Sequence, residues 1–110
     1  MPLVELREYK LKPNKKNQWL TWMKEELLPY QVSQGMQVLQ TYTYQDEQGD
    51  DWFVWLRAFE NEDQRQAIYS KTYNDWWIKN IRPQVFEHIE QDEIKVRILE
   101  PVELIPACNV

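Results

Sequence analysis

Hydrophobic and polar residues alternate with a period of two in three separate stretches of the chain. Val4 and Leu6 alternate with Glu5, Arg7 and Tyr9; Val54, Leu56 and Ala58 alternate with Phe53, Trp55, Arg57 and Phe59; Ile94, Val96 and Ile98 alternate with Glu93, Lys95 and Arg97. Successive side chains of an extended segment point to opposite sides of a sheet. Each stretch therefore reads as a strand with one aliphatic face and one face of charges and large rings. The aliphatic face is expected to meet the core. The other carries Glu5 with four cations (Arg7, Arg57, Lys95 and Arg97) and is where function is expected to sit.

Between the strands the period changes. A first strand over about residues 3–11 is broken by Pro13-Asn14, and a helix is expected over about 14–34. Trp19, Leu20, Met23, Leu27 and Tyr30 recur at three- and four-residue spacing and form one apolar stripe. Lys15, Lys16, Lys24, Glu25 and Glu26 take the other side. Pro29 should bend or divide this helix, because its ring removes a donor and crowds the preceding turn. Gly35 should end it. A second strand follows over about 36–44, with Val38, Tyr42 and Tyr44 opposed to Leu39, Thr41 and Thr43; both of its faces are mixed. Asp46 to Asp51, with Gly49 inside, reads as the hairpin tip leading into the third strand.

Asn61 is placed to cap a further helix, with Gln64 as its capping-box partner, running to about Tyr73. After a break at Asn74-Asp75, a second helical piece carries Trp76, Trp77, Ile81, Val85, Phe86 and Ile89. Trp76 and Trp77 cannot both face the core, so one is a candidate contact with a partner, the dimer seam or the tail. Asp92 opens the last strand and Pro101 ends it. Residues 1–101 thus form one domain and 102–110 a tail.

The order β-α-β-β-α-β predicts an α+β ferredoxin-like sandwich with helices on one face of the sheet. With the aliphatic face covered by helices, Tyr9, Phe53 and Trp55 would be left in water, and exposed apolar patches of that size mark interfaces or ligand sites. A homodimer whose two sheets face each other, enclosing the polar–aromatic face in an α/β barrel, resolves this.

Composition narrows the function classes. A chain of 110 residues with six Trp and six Tyr is rich in the side chains that build cores, interfaces and ligand walls. A formal net charge of −5 argues against a phosphate-backbone partner, so no nucleic acid is expected. The lone Cys108 can form neither an internal disulfide nor a metal-binding cysteine pair, which points to a reducing, cytoplasmic setting. The early Glu5 and Glu8 do not fit a signal or transit segment, and no apolar run approaches membrane-spanning length; no membrane partner is expected.

Catalytic signatures are sparse. The one histidine, His88, lies near Glu87 and Glu90 and reads as a surface or packing residue; no metal site and no cofactor are expected. Asp46, Glu47, Asp50 and Asp51 read as a solvated hairpin tip. Ser33 and Ser70 have no base nearby in the sequence. What remains is the polar–aromatic face: Glu5, Arg7, Tyr9, Trp55, Arg57, Lys95 and Arg97. Its bland reading is a set of salt bridges in which Glu5 pairs Arg7 or Arg97. Its functional reading is a wall for a small anionic or aromatic molecule, the arginines holding the anion and the rings covering an apolar body. An alternative is a cofactor-independent enzyme, monooxygenase- or isomerase-like, with Tyr9 or Glu5 moving a proton and Arg7 or Arg57 stabilising an oxyanion.

Several of these segments together resemble a family. Val4-Glu5-Leu6-Arg7 followed by Tyr9, Leu11 and Pro13 is similar to the NIPSNAP opening V-E-L-R-x-Y-x-L-x-P-G. Leu27-Leu28-Pro29 before Gly35-Met36-x-Val38, Leu56-x-Ala58-Phe59-Glu60, and Trp77 before Ile81-Arg82-Pro83 continue the likeness, which spans about residues 3–100. The resemblance implies a dimeric α/β-barrel fold. Asn14 stands where the family pattern has glycine. Eukaryotic members are mitochondrial and linked to vesicle traffic and mitophagy signalling, roles that a single-domain chain without a transit segment does not inherit; the resemblance assigns no activity.

Overall fold

The computed structural model describes residues 2–105. Four strands, β1 (Leu3–Lys10), β2 (Gln37–Gln45), β3 (Asp51–Phe59) and β4 (Lys95–Leu99), form one antiparallel sheet in the order β2-β3-β1-β4. The connections β1-to-β2 and β3-to-β4 each cross over through helices, which gives the ferredoxin-like α+β arrangement.

The first crossover is a broken helix. It runs as α1 (Lys16–Trp22), a wider π-helical segment (Met23–Leu27) and α2 (Leu28–Ser33). Pro29 has no N–H for the carbonyl four residues back, and the helix widens just ahead of it, so that the Leu28 N–H reaches the Met23 carbonyl. Gly35 leaves the helix at φ +98°, a conformation that side chains resist. The second crossover contains α3 (Glu62–Thr72), α4 (Asp75–Asn80) and α5 (Arg82–His88). Asn61 accepts from the Gln64 N–H at 2.8 Å and Asn74 from the Trp77 N–H at 2.9 Å, so both restarts are capped as the sequence indicates. Asn14 adopts φ +64°. Asparagine tolerates this region better than other non-glycine residues, and so reproduces the turn that the family pattern builds with glycine. Among the described residues no helix is long and apolar enough to cross a membrane. Cys108 and the end of the tail lie outside the described residues.

The helices lie on the face opposite to the one expected. Tyr9, Phe53 and Trp55 are buried against Trp19, Met23, Leu27, Val85 and Ile89 in a single core, with Tyr9 and Trp19 edge-to-face at 6.0 Å. The polar–aromatic face is therefore the covered one, and the aliphatic residues Val4, Leu6, Val54, Leu56 and Ala58 stay half-buried on a face without helices. Rings bury on the order of 150–250 Å² each, more than the aliphatic row offers, and Arg7 and Arg57 among them share the Glu5 carboxylate.

A second correction concerns β4. Residues directly opposite in an antiparallel pair share a face. Lys95 stands opposite Glu8 and Arg97 opposite Leu6, whereas Val96 and Ile98 stand opposite Arg7 and Glu5. Lys95 and Arg97 consequently belong to the open face. Lys95 Nζ sits 4.7 Å over the Trp52 ring, which stacks on Tyr44.

Candidate functional site

Period two along β1 sends Glu5, Arg7 and Tyr9 beneath the helices. The Glu5 side chain is fully buried. Its Oε1 accepts from Arg7 Nε at 2.5 Å, from Arg57 Nε at 3.0 Å and from an Arg57 terminal nitrogen. Its Oε2 accepts from Arg65 Nε at 2.8 Å and from the Tyr69 hydroxyl, both supplied by α3. Five donors saturate two carboxylate oxygens, which offer about four lone-pair positions. Burial alone would raise the Glu5 carboxyl, but Arg57, Arg7 and the Tyr69 hydroxyl hold it down at about 2. Glu5 is thus a fixed counter-charge with no proton to move.

The two sheet arginines differ in what they have left to give. Arg57, also fully buried, gives Nε and one terminal N–H to Glu5, others to the Tyr69 and Tyr73 hydroxyls, and one to Met36 Sδ at 2.9 Å. All five of its N–H groups are engaged within the chain. Its guanidinium lies 4.8 Å from the centre of the Trp55 ring. Arg7 gives one N–H each to Glu5, the Tyr9 hydroxyl at 3.2 Å and the Tyr69 hydroxyl at 2.8 Å. Two of its five remain without a partner among the described residues, one on each terminal nitrogen. Burial raises both Tyr69 and Tyr73, the latter to about 12, and Arg57 opposes the rise in each.

Beside this network is a cavity of about 170 Å³. Arg7, Tyr9 and Trp55 of the sheet form one wall; Leu27 and Gln31 of the first crossover and Tyr69, Tyr73, Trp77 and Val85 of the second close it. The indole N–H groups of Trp55 and Trp77 and the Gln31 Oε1 are buried without a partner among the described residues, although the Gln31 Nε2 donates to Tyr73 at 3.1 Å. A wider groove of about 490 Å³ along Leu20, Met23, Leu28, Val32 and Phe53 is apolar apart from Lys24 and Thr41. Polar groups converge in the first cavity and not in the second, which makes the first the candidate site. No cluster of three or more His, Cys, Asp or Glu side chains suited to a metal occurs among the described residues.

A family model for NIPSNAP matches residues 4–106. The chain belongs to the NIPSNAP family. This NIPSNAP chain is similar in fold to a NIPSNAP-like domain protein from Burkholderia xenovorans, at 20% identity and TM-score 0.78 over 96% of this chain and 89% of that one. It is similar also to a NIPSNAP family protein of unknown function from Agrobacterium tumefaciens, with 20% identity, TM-score 0.78, and coverage of 96% and 92%. A protein from Mycobacterium tuberculosis, Rv0793, shares the fold more distantly, with 14% identity, TM-score 0.59, and coverage of 94% and 97%. A search of the curated proteins finds no match.

Of the residues singled out in this NIPSNAP sequence, Glu5, Arg7, Tyr9, Trp55 and Arg57 come together at the cavity or in the network behind it, while Lys95 and Arg97 stand across the sheet. Glu5 pairs with Arg7 and Arg57 and not with Arg97. Arg65, Tyr69, Tyr73 and Gln31 escaped the sequence reading as site residues, and Trp77 entered it as one of a tryptophan pair. Arg65, Tyr69 and Tyr73 recur every four residues, which aligns them along one side of α3 and its end; that spacing was the available signal. His88 is a packing residue, stacked on Trp22 at 5.5 Å with Nδ1 2.7 Å from the Gln84 carbonyl oxygen. Trp76 is exposed against Tyr30, and Trp77 turns inward to Tyr73.

Proposed function

We propose that this NIPSNAP chain is a homodimeric small-molecule-binding protein that holds an anionic, partly aromatic ligand in the cavity between its sheet and helices. One observation carries the reading: Arg7 stands in the cavity wall as a largely buried cation with two N–H groups not engaged by any described residue. Buried positive charge without full pairing is costly, and a bound anion removes that cost. Trp55, Trp77, Leu27 and Val85 supply the apolar cover.

The dimer belongs to the open face. Val4, Leu6, Val54, Leu56, Ala58, Tyr42 and Leu99 form an apolar field that the chain's own helices do not cover. Glu8 lies in that field among Lys10, Lys95 and Arg97, so a second copy can offer opposite charges as well as apolar area. The family resemblance points to the same sheet-to-sheet pairing.

The test is a native mass spectrum of gently purified protein, recording subunit count and any retained small mass. A dimer with a reproducible adduct that disappears in Arg7→Met is the expected result. A monomer overturns the assembly, and an adduct that survives Arg7→Met overturns the site.

A further inference from the structure

Building on that reading of the cavity, we propose that its ligand class is the small aromatic monocarboxylate, with the carboxylate on Arg7 and the ring between the indoles and the aliphatic wall.

Charge sets the valence. Three guanidinium groups (Arg7, Arg57 and Arg65) meet two carboxylates, Glu5 and the Glu62 that pairs with Arg65 at 2.9 Å. One positive charge is left over among the described residues of the network, which suits a monoanion. A phosphate monoester, carrying about −1.5 to −2, would exceed it.

Hydrogen bonding sets the head group. The two remaining Arg7 N–H groups sit on separate terminal nitrogens, the pair that grips both oxygens of a planar carboxylate. The Tyr9 hydroxyl already accepts from Arg7, so its own proton is available to a second oxyanion acceptor. The Trp55 and Trp77 indole N–H groups add donors without acceptors. Donors outnumber the one unpartnered acceptor of the wall, Gln31 Oε1, and an oxyanion is what answers them; a neutral alcohol or amide would satisfy fewer and leave the charge.

Space sets the body. Engineered apolar cavities of roughly 150 Å³ take up benzene, and this cavity, at about 170 Å³, has room for one ring with a small substituent. Leu27 and Val85 with the Trp55 and Trp77 rings provide flat and aliphatic cover.

The experiment titrates the purified protein calorimetrically with benzoate, benzyl alcohol, phenyl phosphate and acetate. Benzoate is expected to bind about tenfold or more tightly than each of the others, because each lacks the matching charge, head group or body. Arg7→Met should weaken benzoate about tenfold or more, and Trp77→Phe several-fold, with the circular dichroism spectrum of each retained. Benzyl alcohol or phenyl phosphate matching benzoate overturns the ligand class, as does undiminished benzoate binding by Arg7→Met or no measurable binding of benzoate. The cavity itself is tested apart from the class. Leu27→Trp and Val85→Phe narrow it from different elements, and if the probes that bind the parent still bind whichever of these folds, the site reading fails too. Loss of a preferred phenyl phosphate in those variants would overturn the class alone.

Discussion

Glu5 of β1 and Arg57 of β3 are direct partners in the antiparallel register, and both side chains are excluded from solvent. The pair sits in the middle of the sheet, where β1 and β3 are the two inner strands. Removing Glu5 leaves Arg57 buried without a carboxylate partner, which typically costs about 3–5 kcal/mol. Glu5→Gln is therefore expected to lose about that much stability in urea unfolding. Arg57→Met leaves Glu5 with Arg7 and Arg65 and should lose less, and the double variant less than the sum. Additive losses would show that the two do not act as a unit.

The same carboxylate gives an acid limb. Its folded value of about 2 lies below the ordinary 4.5. A lowered value stabilises the fold at pH above the unfolded value, and that contribution is lost as pH falls from about 4.5 towards about 2. The shift corresponds to roughly 3 kcal/mol. Stability measured from pH 6 down should fall through this window in the parent and fall less in Glu5→Gln.

At the alkaline end, Tyr73 acts in the opposite direction. Burial pushes it from 10 to about 12, so its neutral form is favoured in the folded protein. Its contribution is complete below pH 10 and disappears as pH rises through about 12. Tyrosinate absorbance should show a late-titrating phase that is absent in Tyr73→Phe.

The face assignment of the cations is separately testable. Lys95→Ala and Arg97→Ala are expected to leave benzoate affinity within about twofold, since the sheet separates them from the cavity and their charges are screened by solvent. If the proposed sheet-to-sheet dimer forms, the same substitutions should weaken association in sedimentation. Loss of benzoate binding in either would place them at the site after all.

Asn14 offers a local test of backbone conformation. At φ +64°, Asn14→Gly should be close to neutral, whereas Asn14→Val should cost about 1–2 kcal/mol in thermal unfolding because its branched Cβ crowds the left-handed region.

The strands, the crossovers and their order were legible because Val4, Leu6, Val54, Leu56 and Ala58 keep strict alternation, and because Asn61, Asn74, Pro29 and Gly35 mark helix ends and breaks. Which face the helices cover was not legible. Alternation tells which residues travel together, and charges usually travel towards water; here Arg57 and Arg65 meet Glu5, and only the tertiary pairing reveals that. Nor could the phase of β4 be read, since a register shift of one residue exchanges its faces. In β2 the irregularity between Val38 and Gln40 shifts the pairing: Val38 lies opposite Arg57 but Tyr42 opposite Val54, on the other side of the sheet. That is why its faces read as mixed. The sheet half of the site was found from strand periodicity, whereas the Tyr69 and Tyr73 half arrives from a helix distant in sequence.

The closure of the polar–aromatic face by helices of the same polypeptide has a consequence for stoichiometry. The described residues of a single chain supply all nine lining side chains, so on the proposed reading the ligand count should equal the chain count. In the proposed sheet-to-sheet dimer the two cavities would lie on opposite sides of the paired sheets, each beneath the helices of its own chain. A mixed dimer of one intact subunit and one carrying Arg7→Met should therefore bind one equivalent of ligand with the affinity of the intact site.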